Sequence, residues 1–245
     1  PPISPAGCTA SDTFVGWFSP SVLYVGNGGQ YVAPAQGLNI THTNQPPPAA
    51  AQGGTQGITV YGQDNAAPPN VSSVRSPGAA KIRIQLTNTF TSSSPAVYAL
   101  TGGRAEFDGD LTVTTSTISS TLTAQALAAR GQSVPPLMNI GSLIQVEGVA
   151  TLDTTAALPA APSSYASVLA DQGGQIKLNG GGSLRSGDDG IWAFGSAGSP
   201  GAVRSTGGPF TLTAHSRGVV IDSGSGRVDV QLDDANVTSV TEAIT

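Results

Sequence analysis

Short segments in which small or apolar residues alternate with polar ones recur along this chain, and glycines separate them. The third clear copy follows the first by 71 residues at every position. Because side chains on a β-strand point alternately to opposite faces, each copy predicts a short strand with one buried face. A strand that recurs every 20 to 50 residues or so indicates a stacked, one-dimensional fold. The clear copies are Gly102–Gly109, Gly141–Gly148 and Gly173–Gly180, and weaker ones begin at Ala79, Gly207 and Ser225.

The segment 96–115 predicts one complete coil of this stack. An alternating run is followed by a glycine pair, by Ala105 and Phe107, by an Asp-Gly turn, and then by Leu111 and Val113. Three short strands joined by tight turns make a three-sided coil, and these four side chains would point inward. We therefore predict an all-β chain in which one solenoid of about eight coils covers residues 1–245 without a domain boundary.

Residues 1–30 depart from the repeat because they contain a concentration of large apolar groups. A stacked fold must close its open end, so we predict that this segment is an N-terminal cap. The alternative is an exposed aromatic patch that binds a partner. The large residues concerned are Phe14, Trp17, Phe18, Leu23 and Tyr24.

Three further segments are longer than a turn requires. Prolines and glycines in 44–56 predict a protruding loop. Segments 116–139 and 156–164 are predicted to be loop insertions on one side of the stack. Within the first of them, the alanines and leucines of 121–130, followed by Gly131, predict a short helix.

The composition excludes several classes of protein. With 38% hydrophobic residues, 10% charged residues and a net charge of −5, the chain can bury a core and is unlike a disordered segment. The sequence contains neither a basic patch nor an aromatic ladder that would indicate nucleic-acid binding. No apolar run is long enough to span a membrane. The single cysteine, Cys8, excludes a disulfide framework. Because the chain opens at Pro1 without a methionine, we expect it to be a piece of a longer protein.

The coil at 96–115 and the segment 173–238 resemble coils in the passenger domains of Gram-negative autotransporters, the pertactin-like adhesins. The resemblance implies a single-stranded, right-handed parallel β-helix that is exported to the cell surface by a C-terminal outer-membrane barrel absent from this chain. It also implies a virulence-related adhesin. Its partner would be a host-cell surface protein, a matrix component, a glycan, or another copy on a neighbouring cell.

Parallel β-helices also include pectin-active enzymes and phage tail-spikes, so paired carboxylates are the first catalytic candidates. Asp188 and Asp189, followed by His215, resemble part of the polygalacturonase set and could act as acid and base. The usual Asn-Thr-Asp and Gly-His-Gly motifs are missing. The alternative interpretation is that Ser186–Gly190, like Asp233-Asp234, is a corner turn.

No other catalytic or metal site is predicted. Asp222-Ser223-Gly224 is similar to the nucleophile segment of chymotrypsin-like proteases, but only His42 and His215 could complete a triad. A turn accounts for this segment as well. Two histidines and one cysteine give no zinc spacing, and no calcium or phosphate motif occurs.

The predicted function is therefore that of an adhesin without a cofactor, which binds a host component or self-associates. One alternative is a polysaccharide-degrading enzyme that uses Asp188 and Asp189. Another is a structural stalk whose working domain lies elsewhere in a parent protein.

Overall fold

The computed structural model describes residues 21–26, 28–43, 56–62, 71–88, 95–117, 125–131, 140–155, 166–196, 199–224 and 226–245. These residues form 21 β-strands, numbered β1 to β21 in chain order, and no helix. Every third strand belongs to the same sheet, so the described chain forms three seven-stranded parallel sheets.

Each coil contributes one strand to each sheet, which we call sheets I, II and III. Sheet I contains β1 (Ser21–Val25), β4 (Gln56–Tyr61), β7 (Pro95–Leu100), β10 (Gln125–Arg130), β13 (Ala166–Asp171), β16 (Asp189–Phe194) and β19 (Val219–Asp222). Sheet II contains β2 (Gln30–Val32), β5 (Ser73–Ser76), β8 (Arg104–Phe107), β11 (Leu143–Val146), β14 (Gln175–Leu178), β17 (Gly201–Ser205) and β20 (Val228–Leu232). Sheet III contains β3 (Leu38–Thr43), β6 (Ile82–Asn88), β9 (Leu111–Thr117), β12 (Ala150–Asp153), β15 (Gly182–Ser186), β18 (Phe210–Ala214) and β21 (Ala235–Ser239).

The strand register confirms the repeat found in the sequence. Arg104 pairs with Leu143, which pairs with Gln175, so the three clear copies lie in register in sheet II. The same 71-residue offset relates Val97 to Val168 in sheet I. The chain is therefore an all-β parallel β-helix, with seven coils in the described residues against the eight or so predicted. Its right-handed winding stays a prediction.

The weaker copies were misplaced. The strands that follow Ala79 and Gly207 belong to sheet III, whereas the true equivalents in sheet II are β5 and β17. The copy at Ser225 does lie in sheet II, but Val230, not Val228, is equivalent to Ile176. Alternation is the same on every side of the coil, so a short alternating segment does not reveal which sheet it joins.

The predicted helix at 121–130 is wrong where the structure describes it, because Gln125–Arg130 forms β10. This strand lies between β7 and β13, and its Leu127 and Ala129 are fully buried. Two neighbouring strands that offer a complete ladder outweigh the helix propensity of alanine and leucine. The segment 116–139 is consequently not one insertion but contains a strand of the stack.

The predicted cap at 1–30 overlaps the first described coil. Strands β1 and β2 already pair with the next coil, and Leu23 and Val25 are buried. The described coils thus begin within the range assigned to the cap. Residues 1–20, 44–55 and 156–165 lie outside the described residues, so the aromatic side chains before Leu23 and the loops in those ranges stay predictions.

Inward side chains form a continuous core through the coils. Ala105, Phe107, Leu111 and Val113 are all fully buried, as the alternation predicted. Neighbouring coils place aliphatic residues on both sides of Ala105, Leu111 and Val113, and Phe107 lies between Ser76 and Val146. The column is thereby removed from water.

Glycine pairs make the corner between sheets I and II. Gly102 and Gly173 have φ of +86° and +90°, and each follows a residue that also has positive φ. This is the type I′ turn, which favours glycine. The second glycine is required for a different reason, because a Cβ on Gly174 would lie 1.9 Å from the carbonyl oxygen of Ala129 in the preceding coil.

The alternation makes a direct prediction for two adjacent residues. Phe107→Ala should lower the free energy of unfolding by about 3–5 kcal/mol, because it leaves a cavity in the core. Glu106→Ala, on the outer face, removes only exposed ion pairs with Arg75 and Arg104 and should cost about 1 kcal/mol or less. Urea unfolding followed by circular dichroism measures both. Equal losses would contradict the assigned inward and outward faces.

Candidate functional site

The outer faces of sheets II and III are polar. On sheet III, threonines occupy equivalent positions on successive coils, and Asp153 pairs with Arg185 at 3.3 Å. On sheet II, the outward positions carry exposed charged side chains in pairs such as Arg75–Glu106 and Arg204–Asp229. Exposed pairs of this kind keep a surface solvated and contribute little to stability.

The outer face of sheet I is different, because apolar and aromatic side chains follow one another across its strands. One row of equivalent positions runs from coil to coil through Tyr24, Thr59, Tyr98, Ala128, Leu169, Trp192 and Val220. Two residues further along each strand, a second row runs through Leu100, Arg130, Asp171, Phe194 and Asp222.

The long connections of the coil are also concentrated at sheet I. Connections between sheets II and III have five residues or fewer, whereas every connection longer than six residues begins or ends at a strand of sheet I. Repeat folds place their variable loops on one side, and this is often the side that binds.

A cleft of about 280 Å³ lies on this face across β10, β13 and β16. It is slightly smaller than the range of about 300–1,000 Å³ found for sites of drug-sized ligands. Its walls combine aromatic and aliphatic groups with a few polar ones, as small-molecule sites do. The lining includes Gln125, Arg130, Leu169, Asp171, Trp192 and Phe194.

A partly buried ion pair forms one wall of the cleft. The Nε of Arg130 donates to Oδ2 of Asp171 at 2.8 Å. The Asp171 residue is only 6% exposed, and within the described chain its Oδ1 accepts no hydrogen bond. Burial raises the pKa of Asp171 although Arg130 lowers it, so the carboxylate is held in a site that disfavours its charge. Burial likewise raises the pKa of Tyr98, on which the charges of Arg130 and Asp171 act in opposite directions.

A second ion pair holds the other end of the cleft in place. The guanidinium of Arg217 lies 5.9 Å from the centre of the Trp192 ring. Asp189 fixes it there, because its Oδ1 accepts from Arg217 Nε at 3.1 Å and its Oδ2 accepts from Nη2 at 2.5 Å. The backbone N–H of Arg217 also donates to Asp189 Oδ1, at 3.0 Å. A stacked and charge-paired arginine therefore orients the indole.

The two carboxylates proposed for catalysis do not form an accessible pair. Asp188 and Asp189 are both fully buried in the corner between β15 and β16, and Asp189 is occupied by Arg217. The side chain of His215 is exposed, on the outside of the coil. The corner interpretation of Ser186–Gly190 is thus supported, because glycosidic bond hydrolysis needs carboxyl groups that reach the substrate and a water.

The remaining catalytic candidates are also turns. Gly224 donates its N–H to Asp222 Oδ1 at 2.9 Å, which closes a turn around Ser223 at the end of β19. Asp233-Asp234 forms the exposed two-residue turn between β20 and β21. Among the described residues, no group of histidine, cysteine and acidic side chains could hold a metal ion. A helix that is long and apolar enough for a membrane span is likewise not found in the described ranges.

Sequence reasoning missed the residues that define the cleft. Arg130 fell in the predicted helix, and Asp171 and Trp192 carried no motif. The available signal was the position just before the corner turn, where Leu100 precedes Thr101-Gly102 and Asp171 precedes Gln172-Gly173. Aligning these corners brings Leu100 and Asp171 into one column, but Arg130 joins them only when β10 is recognised as a strand.

No protein-family model, no curated protein and no solved structure matches this chain.

The raised pKa of Asp171 predicts a particular pH dependence of stability. The unfolded carboxyl titrates near 3.8 and the folded one at a higher pH, so the folded state binds this proton more tightly. Its contribution to stability is present below pH 3.8 and is lost as pH rises through the folded pKa. The free energy of unfolding of wild type, minus that of Asp171→Asn, should fall over this window and then level off. Urea unfolding from pH 3.5 to 7 measures it; a difference that grows with pH would contradict the assignment.

The buried carboxylate of Asp189 predicts a large effect of removing its partner. Arg217→Ala removes the counter-charge of that carboxylate and leaves it only the backbone N–H of residue 217, so it should cost about 3–5 kcal/mol of unfolding free energy. Arg204→Ala, which breaks an exposed pair with Asp229, should cost about 1 kcal/mol or less. Thermal and urea unfolding of the two variants give the comparison, and similar losses would show that Asp189 is better solvated than its burial indicates.

Proposed function

We propose that this chain is a non-catalytic recognition domain of the adhesin type, which binds a host-cell surface component through the outer face of sheet I. The observation that carries the proposal is the cleft on that face, which is lined by Trp192, Phe194 and an ion pair whose aspartate residue is 6% exposed. Charge pairs on the outer faces of sheets II and III are more exposed, as in Arg185–Asp153, whose side chains are 64% and 32% exposed.

A free energy argument supports recognition over a purely structural role. Asp171 is 6% exposed, and its burial disfavours the ionised carboxylate. Locally unfavourable groups cluster at functional sites, where a ligand gains from their fixed positions.

A larger depression on sheet II is a weaker candidate. Its volume is about 380 Å³, and it is lined by residues that include Lys177, Arg204 and Asp229. Arg204 already pairs with Asp229, and their side chains are 46% and 29% exposed. No buried polar group among the described residues of this depression is left to be satisfied by a ligand.

Export and display at the bacterial surface belong to the same proposal and rest on the resemblance to autotransporter passengers. The partner would be a host protein, a matrix component or a glycan, and contact between copies on neighbouring cells is the alternative. The regular stack presents its cleft on a rigid support, which lowers the entropic cost of binding.

Surface display of the chain on a non-adherent bacterium tests this proposal. Attachment to host cells should require the displayed chain, and Trp192→Ala should reduce it about tenfold or more, because buried tryptophans dominate interfaces. Thr151→Ala on sheet III is the matched control and should attach like wild type. If Trp192→Ala attaches as well as wild type, the alternative of a structural stalk whose working domain lies elsewhere is favoured. Release of reducing sugar from pectin-like polymers, lost in Asp189→Asn, would restore the enzymatic alternative.

A further inference from the structure

The ten lysine and arginine side chains of this chain are not all matched by acidic partners. Seven of them form an ion pair within the described residues, as expected where acidic residues are in excess. The other three form no ion pair with a described residue. Two of these, Lys177 and Arg227, line the depression of about 380 Å³ on sheet II, and the third, Arg83, lies on sheet III. The depression therefore gathers cationic groups that no described carboxylate compensates.

The strand register places two cations of this depression side by side. Among the described strand pairs, four sets of register neighbours carry two charged residues, and in three of them the charges are opposite and form an ion pair. These three are Arg75–Glu106, Arg130–Asp171 and Asp153–Arg185. The fourth is Lys177 and Arg204, on β14 and β17. Like charges directly opposite each other on adjacent strands are destabilising, so this pair favours an anion between its two side chains.

The depression has its floor at Ala202. In its outward row of sheet II, Ala202 lies between Gln175 and Asp229, whose longer side chains project further from the sheet. Arg227, which immediately precedes β20, lines the side away from Lys177. The depression thus crosses three strands and is roughly 10 Å wide. Its volume falls within the range of about 300–1,000 Å³ found for small-molecule sites.

The cationic groups can reach a ligand. Arg204 is 46% exposed, and it uses Nη2 for Asp229 while its Nε and Nη1 have no acceptor among the described residues. Lys177 is half-buried and carries three N–H donors, and Arg227 is exposed. An ammonium beside a guanidinium binds the oxygens of carboxylate, sulfate and phosphate groups. The accessible donors of the depression therefore select an oxyanion.

The rest of the lining indicates a polar ligand. Its apolar members are Ile176, which is fully buried, and the smaller Ala202 and Pro200. None of the described lining residues is an aromatic side chain that could stack on a base, or an accessible large aliphatic one that could anchor an apolar peptide. Gln175 and Asp229 offer amide and carboxylate groups, which bind hydroxyls. This combination favours an acidic sugar over a nucleotide or a peptide.

We propose that the sheet II depression binds an oxyanion between Lys177 and Arg204, with Arg227 as a third cation, and that an acidic sugar carries this oxyanion. The site is separate from the sheet I cleft and does not depend on recognition by that cleft. A bound carboxylate or sulfate separates the two like charges, so their repulsion in the free protein favours binding.

Three probes separate the contributions of the charge and of the sugar. Galacturonate has both, acetate has the carboxylate alone, and galactose has the sugar alone. Calorimetry and NMR titration of the purified chain at constant ionic strength should show saturable binding of galacturonate, with Kd on the order of 1 mM. Acetate should bind more weakly at the same site, and galactose should bind at least about tenfold more weakly than galacturonate.

The outcomes of this titration have distinct meanings. Acetate or a glutamate-containing peptide that binds as tightly as galacturonate would show that the sugar assignment is wrong and that another carrier presents the oxyanion. Galactose that binds as tightly as galacturonate, or no binding of either acid, would overturn the oxyanion site itself.

Variants locate the binding in the depression. Lys177→Gln and Arg204→Gln should each weaken galacturonate binding about tenfold, because each removes a charged donor. Arg83→Gln is the matched control, since it removes the unpaired cation of sheet III with the same change in net charge, and it should bind like wild type. Asp229→Asn frees Arg204 and should strengthen binding. Unchanged binding in both Lys177→Gln and Arg204→Gln, or an equal loss in Arg83→Gln, would place the anion elsewhere.

The repulsion between Lys177 and Arg204 has a test that needs no ligand. Lys177→Gln should raise the Tm of the free protein by about 1–2 °C, because it removes one of two like charges on adjacent strands. Arg83→Gln, which has no charged register neighbour, should leave the Tm unchanged. Thermal unfolding followed by circular dichroism measures both and establishes that each variant folds. A lower Tm for Lys177→Gln would show that its ammonium is already compensated, and the basis of the anion site would be lost.

Discussion

The parallel hydrogen-bond ladder between successive coils is the constraint on which the architecture depends. Equivalent residues of neighbouring coils lie about 4.8 Å apart, so each position repeats as a column along the stack. A slip of one residue would exchange the inward and outward columns, and the buried aliphatic column therefore maintains the register. The outward columns are then ordered as well, which is how Arg130, Asp171 and Phe194 become neighbours from three different coils.

The corners determine where this regularity can be interrupted. Between sheets II and III, turns of five residues or fewer leave no room for insertions. Between sheets I and II, glycine pairs let the backbone turn with positive φ and approach the carbonyl of the preceding coil. Longer connections are accommodated only at the ends of sheet I strands, so the face with the aromatic residues is also the face bordered by the variable segments.

The cleft shows how a polar site can be built on a fold with a dry interior. The backbone groups of the strands are hydrogen-bonded to neighbouring coils. The interior therefore needs few buried charged side chains to satisfy them. Asp171, Asp188 and Asp189 are the buried charged residues of the described chain. Asp171 and Asp189 are each paired with an arginine that remains partly exposed. The arginines provide charge balance while keeping part of their guanidinium in solvent. One pair orients an indole, and the other places the partly exposed guanidinium of Arg130 beside the cleft.

The sequence by itself determined the all-β stack, the three strands per coil, the inward residues Ala105, Phe107, Leu111 and Val113, and the register of the three clear copies. These follow from local alternation and from glycine corners, both of which are properties of short segments. Only the tertiary structure decided the rest. The strand at Gln125–Arg130 needs its neighbours to override helix propensity, and the burial of Asp188 and Asp189 depends on the following coil. The cleft joins residues as far apart as Gln125 and Phe194, and their proximity is set by coil length, which no single segment encodes.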